Sequence, residues 1–551
     1  MLKKLLTKMK YNNSNRVFNS LNYSSKTKAS KRIEPIPESI VQVKEKLNGV
    51  FSGTNDFIMR EVTLCSELNT TMLIIYIDGM VNINLLNENI LKPVMDENVG
   101  VYFQEELTSK DSTINILKKN VLTCSQIEEI KDFQQIVNKT LEGNVILYID
   151  GATVALNINL VEIKSRNITE PLTDAVIRGP REGFTELLSN NKVMVRRIIK
   201  NPNLKFEDIT IGQQTSTTVT ICYIKGITNE QIIETLRNRL NKIDTDAILE
   251  SSYLEEFIED APFSVFPTVG AYEKPDVICA KLLEGRVAVL CDGSPFVLTV
   301  PYLLIESIQT AEDYYVKPLV ATFYRVIRII GLFISINLPA MYLALISFHQ
   351  EVIPFKLLLT IVSSREKVPY SAFTESFLML LIFEILRESG IRMPRPAGST
   401  VSFVGALVLG QSAVQAGLVS TPMVIVTAIT AIGGFISGSL LGTIPIIRLI
   451  LLVVSNFMGL LGIMIVNIML LIHLSSIRSF DVPYLSPFSS FSRTELKDTV
   501  VRVPLWAMLT RPRSLTWGKM NNVKYRVKNN FRKKIDNVKD KSKNNFPKKE
   551  E

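Results

Sequence analysis

From Pro396 to Ile477 the chain runs for 82 residues with a single formal charge, Arg448. A water-soluble domain of that length carries charge on its surface, so this stretch is expected to face hydrocarbon. Three spans divide it. Residues 400–418 would rise roughly 28 Å as a helix, close to the thickness of the hydrocarbon layer. Residues 422–442 and 449–474 follow after short turns, which implies tight antiparallel packing. Upstream, residues 319–347 form a further apolar segment, with Arg325 and Arg328 near its start expected to snorkel toward an interface. Residues 372–386 are apolar but short for a crossing and carry Glu375 and Glu384, so a re-entrant or interfacial helix is expected there. The expected membrane domain is 319–476, with about four spans and this short helix.

Charge elsewhere is unevenly placed. The 551 residues hold 62 Lys plus Arg against 53 Asp plus Glu, a net charge of +9. Residues 1–32 hold nine basic residues and no acid, and residues 519–551 hold twelve basic and four acidic. The body between them is therefore mildly acidic, which argues against a basic groove and a nucleic-acid partner. The tails, 1–44 and 477–551, read as solvated arms or as arms drawn to anionic membrane lipid. Basic flanks collect on the cytoplasmic side, so the carboxyl tail is expected inside, and four spans place the amino-terminal part inside too. Arg392 and Arg395 beside a span entered from outside run against that count. Five scattered cysteines and two histidines supply no disulfide framework, zinc site or histidine-based catalytic centre. No metal, cofactor or catalytic residue is expected, nor is a cleavable signal peptide.

Before residue 319, short β-type runs alternate with helical ones, the pattern of an α/β or α+β soluble region in two subdomains, 45–165 and 170–318. Tyr76-Ile77-Asp78-Gly79, Tyr148-Ile149-Asp150-Gly151 and Cys291-Asp292-Gly293 each follow an apolar run and read as turns. Pro275 and Gly285 bracket one helix, and Asn229 or Thr228 caps another at 229–240. Arg178 and Arg181, around Gly179-Pro180, are candidates for an anion contact or a subunit interface; the alternative is a loop held by ion pairs to Glu182 and Glu186. Neither a phosphate-binding loop nor a GxGxxG turn is present.

Within the spans, Gly434, Gly438 and Gly442 recur every four residues, so one helix face is expected to admit a close neighbour, inside the subunit or between subunits. Gln411, Ser412 and Gln415 place amides one turn apart in a span, for interhelical hydrogen bonds or for a polar pore lining. Asn337, Pro339, Asn456 and Asn467 are further polar or kinking positions. Glu375 and Glu384 lie nine residues apart, on opposite faces of a helix, so one is a candidate pore charge and the other an ion-pair partner of Arg387 or Arg392.

The segments VIRGPREGFTE (176–186), RRIIKNPNLKFEDITIG (196–212), FPTVGAYEKPD (266–276), DGSPFVLTVPYLLIE (292–306), EDYY (312–315), ESFLMLLIFEILRESGIRMPRPAG (375–398) and VGALVLGQSAVQAGLVS (404–420) together resemble the A subunits of GerA-type spore germinant receptors, over about residues 50–490. The resemblance implies a multi-pass protein of the spore inner membrane, with its soluble regions facing the cytoplasm or spore core. It implies partnership with a transporter-like B subunit and a lipoprotein C subunit. It also implies a nutrient-responsive complex that triggers ion release, in which the A subunit forms a homo-oligomeric ion channel. Stage V sporulation protein AF, a paralogue held to amplify ion release, has the same architecture. A self-contained solute transporter is the competing class, but the four-span region carries no repeated half.

Overall fold

The computed structural model describes residues 34–64, 70–96, 114–124, 126–162, 176, 178–392, 410–436, 438–488, 497–508, 511–512 and 515–516. The basic arms at 1–33 and 517–551, Cys65 and residues 400–409 of the first charge-free span lie outside the described residues. The chain divides into two compact units, one of residues 1–49 and 58–162, the other of residues 50–57 and 163–551.

In the first unit, α1 (Ile40–Phe51) leads into β1 (Phe57–Leu64) and β2 (Thr70–Ile77); β3 (Ile127–Ile130), α2 (Phe133–Leu141), β4 (Val145–Ile149) and β5 (Ala155–Ile158) follow. The five strands lie in the order β1-β2-β4-β5-β3. Because side chains alternate across a strand, Met72 and Ile74 share one core with Val145, Leu147, Ile149 and Leu156. In the second unit, α3 (Leu188–Ile198), β6 (Leu204–Ile211), β7 (Thr217–Ile224), α4 (Glu230–Asn241), α5 (Ser251–Ile258), β8 (Gly270–Tyr272), α6 (Pro275–Glu284), β9 (Val287–Cys291) and β10 (Val297–Val300) build a sheet of order β6-β7-β9-β10-β8. Counted within each sheet, the two orders are the same. The β2–β4, β4–β5, β3–β5, β6–β7, β7–β9, β9–β10 and β8–β10 pairs are antiparallel, which selects the α+β alternative.

Two of the Asp-Gly turns do equivalent work in the two sheets. Gly151 and Gly293 take φ of 79° and 86°, backbone that glycine adopts cheaply. Asp150 Oδ1 accepts from the Ile40 amide at the start of α1 at 2.9 Å, and Asp292 Oδ1 accepts from the Leu188 amide at the start of α3 at 3.1 Å. The glycine amides then donate to Glu38 and Glu186. Each aspartate thus satisfies an orphan helix amide from a distant strand end.

The second sheet is buried on both faces. Val219, Ile221, Val287 and Val289 meet α4 and α5, while Cys222, Ala288 and Leu290 meet α3 and α6. The region after the last helix, read above as a tail from 477, begins instead with a small hairpin, β11 (Arg478–Ser479) and β12 (Val482–Pro483). Phe480, Val482 and Leu515 enter the core of the second sheet because their apolar side chains lose water there. The Ser479 hydroxyl accepts from the Tyr302 amide at 3.0 Å and donates to the Thr268 carbonyl at 2.7 Å.

The apolar region forms α7 (Pro318–Phe348), α8 (Phe355–Arg365), α9 (Ala372–Arg392), α10 (Thr421–Phe435) and α11 (Thr443–Ser476). By length and composition α7 and α11 qualify as membrane-crossing helices. The 31 residues of α7 would rise about 46 Å. Several expectations change here. The helix placed at 372–386 extends to Arg392 and has 21 residues, long enough by rise for the hydrocarbon layer. The span placed at 449–474 is not one rod. At Gly459 the backbone turns to φ 56°, ψ −139°, and a Cβ on Gly462 would lie 2.8 Å from Val454 Cγ1. In a straight helix those two residues stand about 12 Å apart. The chain therefore doubles back, and α11 is a hairpin of arms 443–458 and 460–476. Both outer ends meet the same soluble loop: Thr443 donates to the Val265 carbonyl, and His473 Nε2 lies 3.0 Å from Ser264 Oγ.

The glycine stripe is also corrected. Gly434 is in α10, Gly438 is in a 3-10 turn and Gly442 precedes α11, so the three do not share one helix face. A Cβ on Gly438 or Gly442 would meet nothing within 4 Å. Close approach occurs one residue earlier, where a Cβ on Gly433 would stand 2.7 Å from the Gly331 carbonyl of α7.

Candidate functional site

Charge is concentrated where α7 leaves the second sheet. Arg325 is fully buried, contrary to the expectation that it snorkels. Its Nε donates to Asp313 Oδ2 at 2.8 Å, and its Nη1 donates to Asp498 Oδ1 at 3.0 Å and to the Thr499 carbonyl at 2.8 Å. One turn on, Arg328 Nη1 donates to Asp313 Oδ2 at 2.9 Å and to the Ile308 carbonyl at 3.0 Å. Tyr314 Oη donates to Asp498 Oδ2 at 2.9 Å. A buried guanidinium is tolerable only with such a set of acceptors. Burial pushes both carboxyls up. At Asp313 hydrogen bonds from Arg328 and Arg325 win, holding it below the usual carboxylate range, whereas at Asp498 burial prevails and the carboxyl sits above it. The network joins residues before α7 to residues after α11.

Deeper among the helices, Glu384 of α9 pairs with Arg448 of α11 and, at 2.8 Å, with Arg387. Arg387 also donates to the Leu441 carbonyl at 2.9 Å. This cluster lies beside a small gap between α7, α9, α10 and α11, bordered by Ser335, Thr430 and Gly434. Glu375, 1% exposed, forms the second cluster: its Oε1 accepts from the Ser420 amide at 2.7 Å and from the Ser420 hydroxyl, and its Oε2 lies 3.4 Å from Arg365 Nε. Asn467 Nδ2 donates to Asn337 Oδ1 at 2.8 Å, tying the second arm of α11 to α7.

The model of the Bacillus/Clostridium GerA spore germination protein family matches residues 45–514. The chain belongs to the GerA family. Spore germination protein KA of Bacillus subtilis (strain 168) is 41% identical over 483 residues, 87% of each chain. Spore germination protein GerLA of Bacillus cereus is 33% identical over 479 residues, 87% of this chain and 96% of that protein. The N-terminal domain of the A subunit of the Bacillus megaterium spore germinant receptor GerK3, a crystal structure, aligns with 29% identity and a TM-score of 0.39, covering 49% of this chain and 98% of that one.

Within this GerA chain the residues singled out from sequence do not form one constellation. Glu375 and Glu384 do point to different neighbours, as their spacing requires, but both are ion-paired inside the subunit. Arg392, considered with Arg387 as a partner for one of the two glutamates, pairs with Glu388 instead. Gln411, Ser412 and Gln415 are exposed on the subunit surface and make no interhelical bond among the described residues. Arg178 is exposed; Glu182 pairs with Arg197 rather than with it. The Arg325 network escaped the sequence reading because Asp498 is 173 residues away. Its one local signal is two arginines a turn apart at a helix entry preceded by Asp313.

Proposed function

We propose that this chain is the A subunit of a spore germinant receptor, a nutrient-responsive membrane complex that triggers germination. The observation that carries the reading is the match over 45–514 together with relatives named as spore germination proteins. The subunit is non-enzymatic and resides in the spore inner membrane. It works with a transporter-like B subunit and a lipoprotein C subunit, and it assembles into a homo-oligomer that conducts ions.

The residue arrangement supports this in three ways. Arg325 at the start of α7 binds Asp498 after α11, so both ends of the helical region return to one place, which favours an even number of crossings. Residues 45–165 and 170–318 would then be soluble subdomains on the side of the carboxyl arm, the cytoplasm or spore core, with 319–476 in the membrane. Leu461, Met464 and Ile468 leave an apolar face on the second arm of α11 exposed to lipid or to a second copy. Amides in hydrocarbon need partners, so the exposed Gln411, Ser412 and Gln415 are assigned to a polar path between copies. With Glu375 and Glu384 neutralised by arginines, they serve that path as packing elements rather than as free pore charges. Arg178 and Arg181 remain the candidate contact for a partner subunit.

Spores of the source organism lacking this chain should lose the response to at least one nutrient, and the restored gene should return it. An unchanged response to every nutrient that germinates the parent spores contradicts the reading. A response slowed for all nutrients alike fits the stage V sporulation protein AF role instead.

A further inference from the structure

Among the exposed apolar side chains of the described residues, Phe263 is the most open, with its ring wholly clear of the protein. It stands at the corner of a turn in which the Ser264 amide donates to the Ala261 carbonyl at 2.9 Å. Pro262 beside it fixes one backbone angle. Asp260 anchors the approach, its amide donating to Thr268 Oγ1 at 3.2 Å and its Oδ2 accepting from the Phe480 amide at 2.6 Å. The ring is therefore held outward by a built loop, although burial is what an aromatic ring gains from most in water.

The same loop touches both outer ends of the α11 hairpin, His473 through Ser264 Oγ at 3.0 Å and Thr443 through the Val265 carbonyl. Just before His473, Leu471 and Ile472 are more than half exposed. After it the apolar run stops at Leu474 and gives way to Ser475 and Ser476, with exposed Arg478 two residues on. The loop thus lies where an apolar helix surface ends and a polar one begins. Phe263 and Val265 on the loop, and Leu471 and Ile472 on the helix, flank the Ser264–His473 contact as exposed apolar groups. Charge narrows the choice of partner. Residues 249–268 hold five acids and no lysine or arginine, so attraction to anionic headgroups is not what would draw this loop to a membrane. A single convex ring also offers little area to a flat protein partner. It suits the boundary between headgroups and acyl chains, where apolar side chains of interfacial elements bury roughly 5–10 Å deep.

We propose that Phe263 and Val265 insert into the lipid boundary around α11, which makes loop 261–265 a foot of the second sheet on the bilayer. The foot is joined to that sheet directly, because Leu254 and Ile258 of α5, just before the loop, lie in the sheet's core. Lipid continues over the loop from the exposed Leu471 and Ile472. The proposal rests on the reading of 319–476 as the membrane domain.

The test is the fluorescence of Phe263→Trp in full-length protein that also carries Trp506→Phe and Trp517→Phe, held in phosphatidylcholine nanodiscs so that both membrane faces are open to solvent. One quencher is a phospholipid with a doxyl group on the acyl chain close to the headgroup, and the other is iodide in the water. The introduced indole should be quenched by the doxyl lipid, and iodide should quench it about threefold less or weaker still than free N-acetyltryptophanamide, as insertion past the headgroups requires. Replacing part of the phosphatidylcholine by phosphatidylglycerol should not increase the doxyl quenching. Iodide quenching close to that of the free compound overturns the proposal while leaving the membrane domain in place. Shielding from both quenchers means that a second copy covers the ring, and overturns it as well. Protein that does not enter nanodiscs at all contradicts the membrane reading itself, and the lipid foot falls with it.

Discussion

The first and second sheets have the same strand order, and in each an Asp-Gly turn caps the first helix of its unit, Asp150 for α1 and Asp292 for α3. Among the described residues, only the second takes residues from beyond the apolar helices into its core, namely Phe480, Val482 and Leu515, and only the second carries the buried Arg325 network. The first sheet is closed by its own helices and by the segment at 83–95. A repeated architecture thus keeps its capping and strand order in both copies while one copy anchors the apolar helices. Topology is therefore a poor guide to which copy holds the apolar helices; the position of buried charge is the better one.

The largest expected effect falls on that asymmetry. Arg325→Met leaves the buried Asp313 and the half-buried Asp498 with fewer partners, and breaking a buried pair such as Arg325–Asp313 costs about 3–5 kcal/mol. The full-length protein should lose folded yield in detergent, and residues 497–516 should become open to protease, while Lys44→Met in α1 of the first unit, an exposed pair with Glu61, changes neither. Equal effects would erase the distinction drawn between the sheets. Next comes Gly433→Leu, which drives a side chain into the Gly331 carbonyl and should cost about 1–3 kcal/mol or more by overpacking, against little for Gly438→Leu in open space. Thermal melts in detergent separate the two. Third, Asp150→Ala and Asp292→Ala should each cost about 1 kcal/mol as lost helix caps. A large difference between them would break the equivalence of the two turns.

The smallest effect concerns pH. Burial, with Glu259 and Glu250 nearby, pushes the Glu255 carboxyl of α5 up from its ordinary 4.5 to about 7. The folded state binds this proton more tightly than the unfolded state. The stability it contributes is full below about pH 4.5 and is lost as pH rises through about 7. Glu255→Gln should therefore raise the melting temperature relative to the parent at pH 8 more than at pH 5. A difference that does not change with pH would mean that the carboxyl is ionised throughout.

Much of this arrangement is legible in sequence because it is local. The stretch from Pro396 to Ile477, with its single charge, announces apolar helices, and Asp-Gly after an apolar run announces a turn, since glycine alone takes positive φ at no steric cost. The Pro275 to Gly285 helix is found where its punctuation places it, with Gly285 at φ 109°. What escapes is whatever depends on one dihedral or on distant pairing. Gly459 sits in a run without charge, so hydropathy cannot distinguish a rod from a hairpin. The spacing of Gly434, Gly438 and Gly442 suggests a face only if the helix continues, and α10 stops at Phe435. Which of Glu375 and Glu384 is paired cannot be read until Ser420, Arg365 and Arg448 are brought to them by packing.

The central claim is that copies of this chain assemble in the membrane into an ion conductor. Single-channel recording of the purified full-length protein in planar bilayers tests it most directly. The account predicts discrete currents carried by an oligomer and altered by Gln411→Leu or Gln415→Leu; bilayers that contain the inserted protein yet stay at the lipid baseline would contradict it.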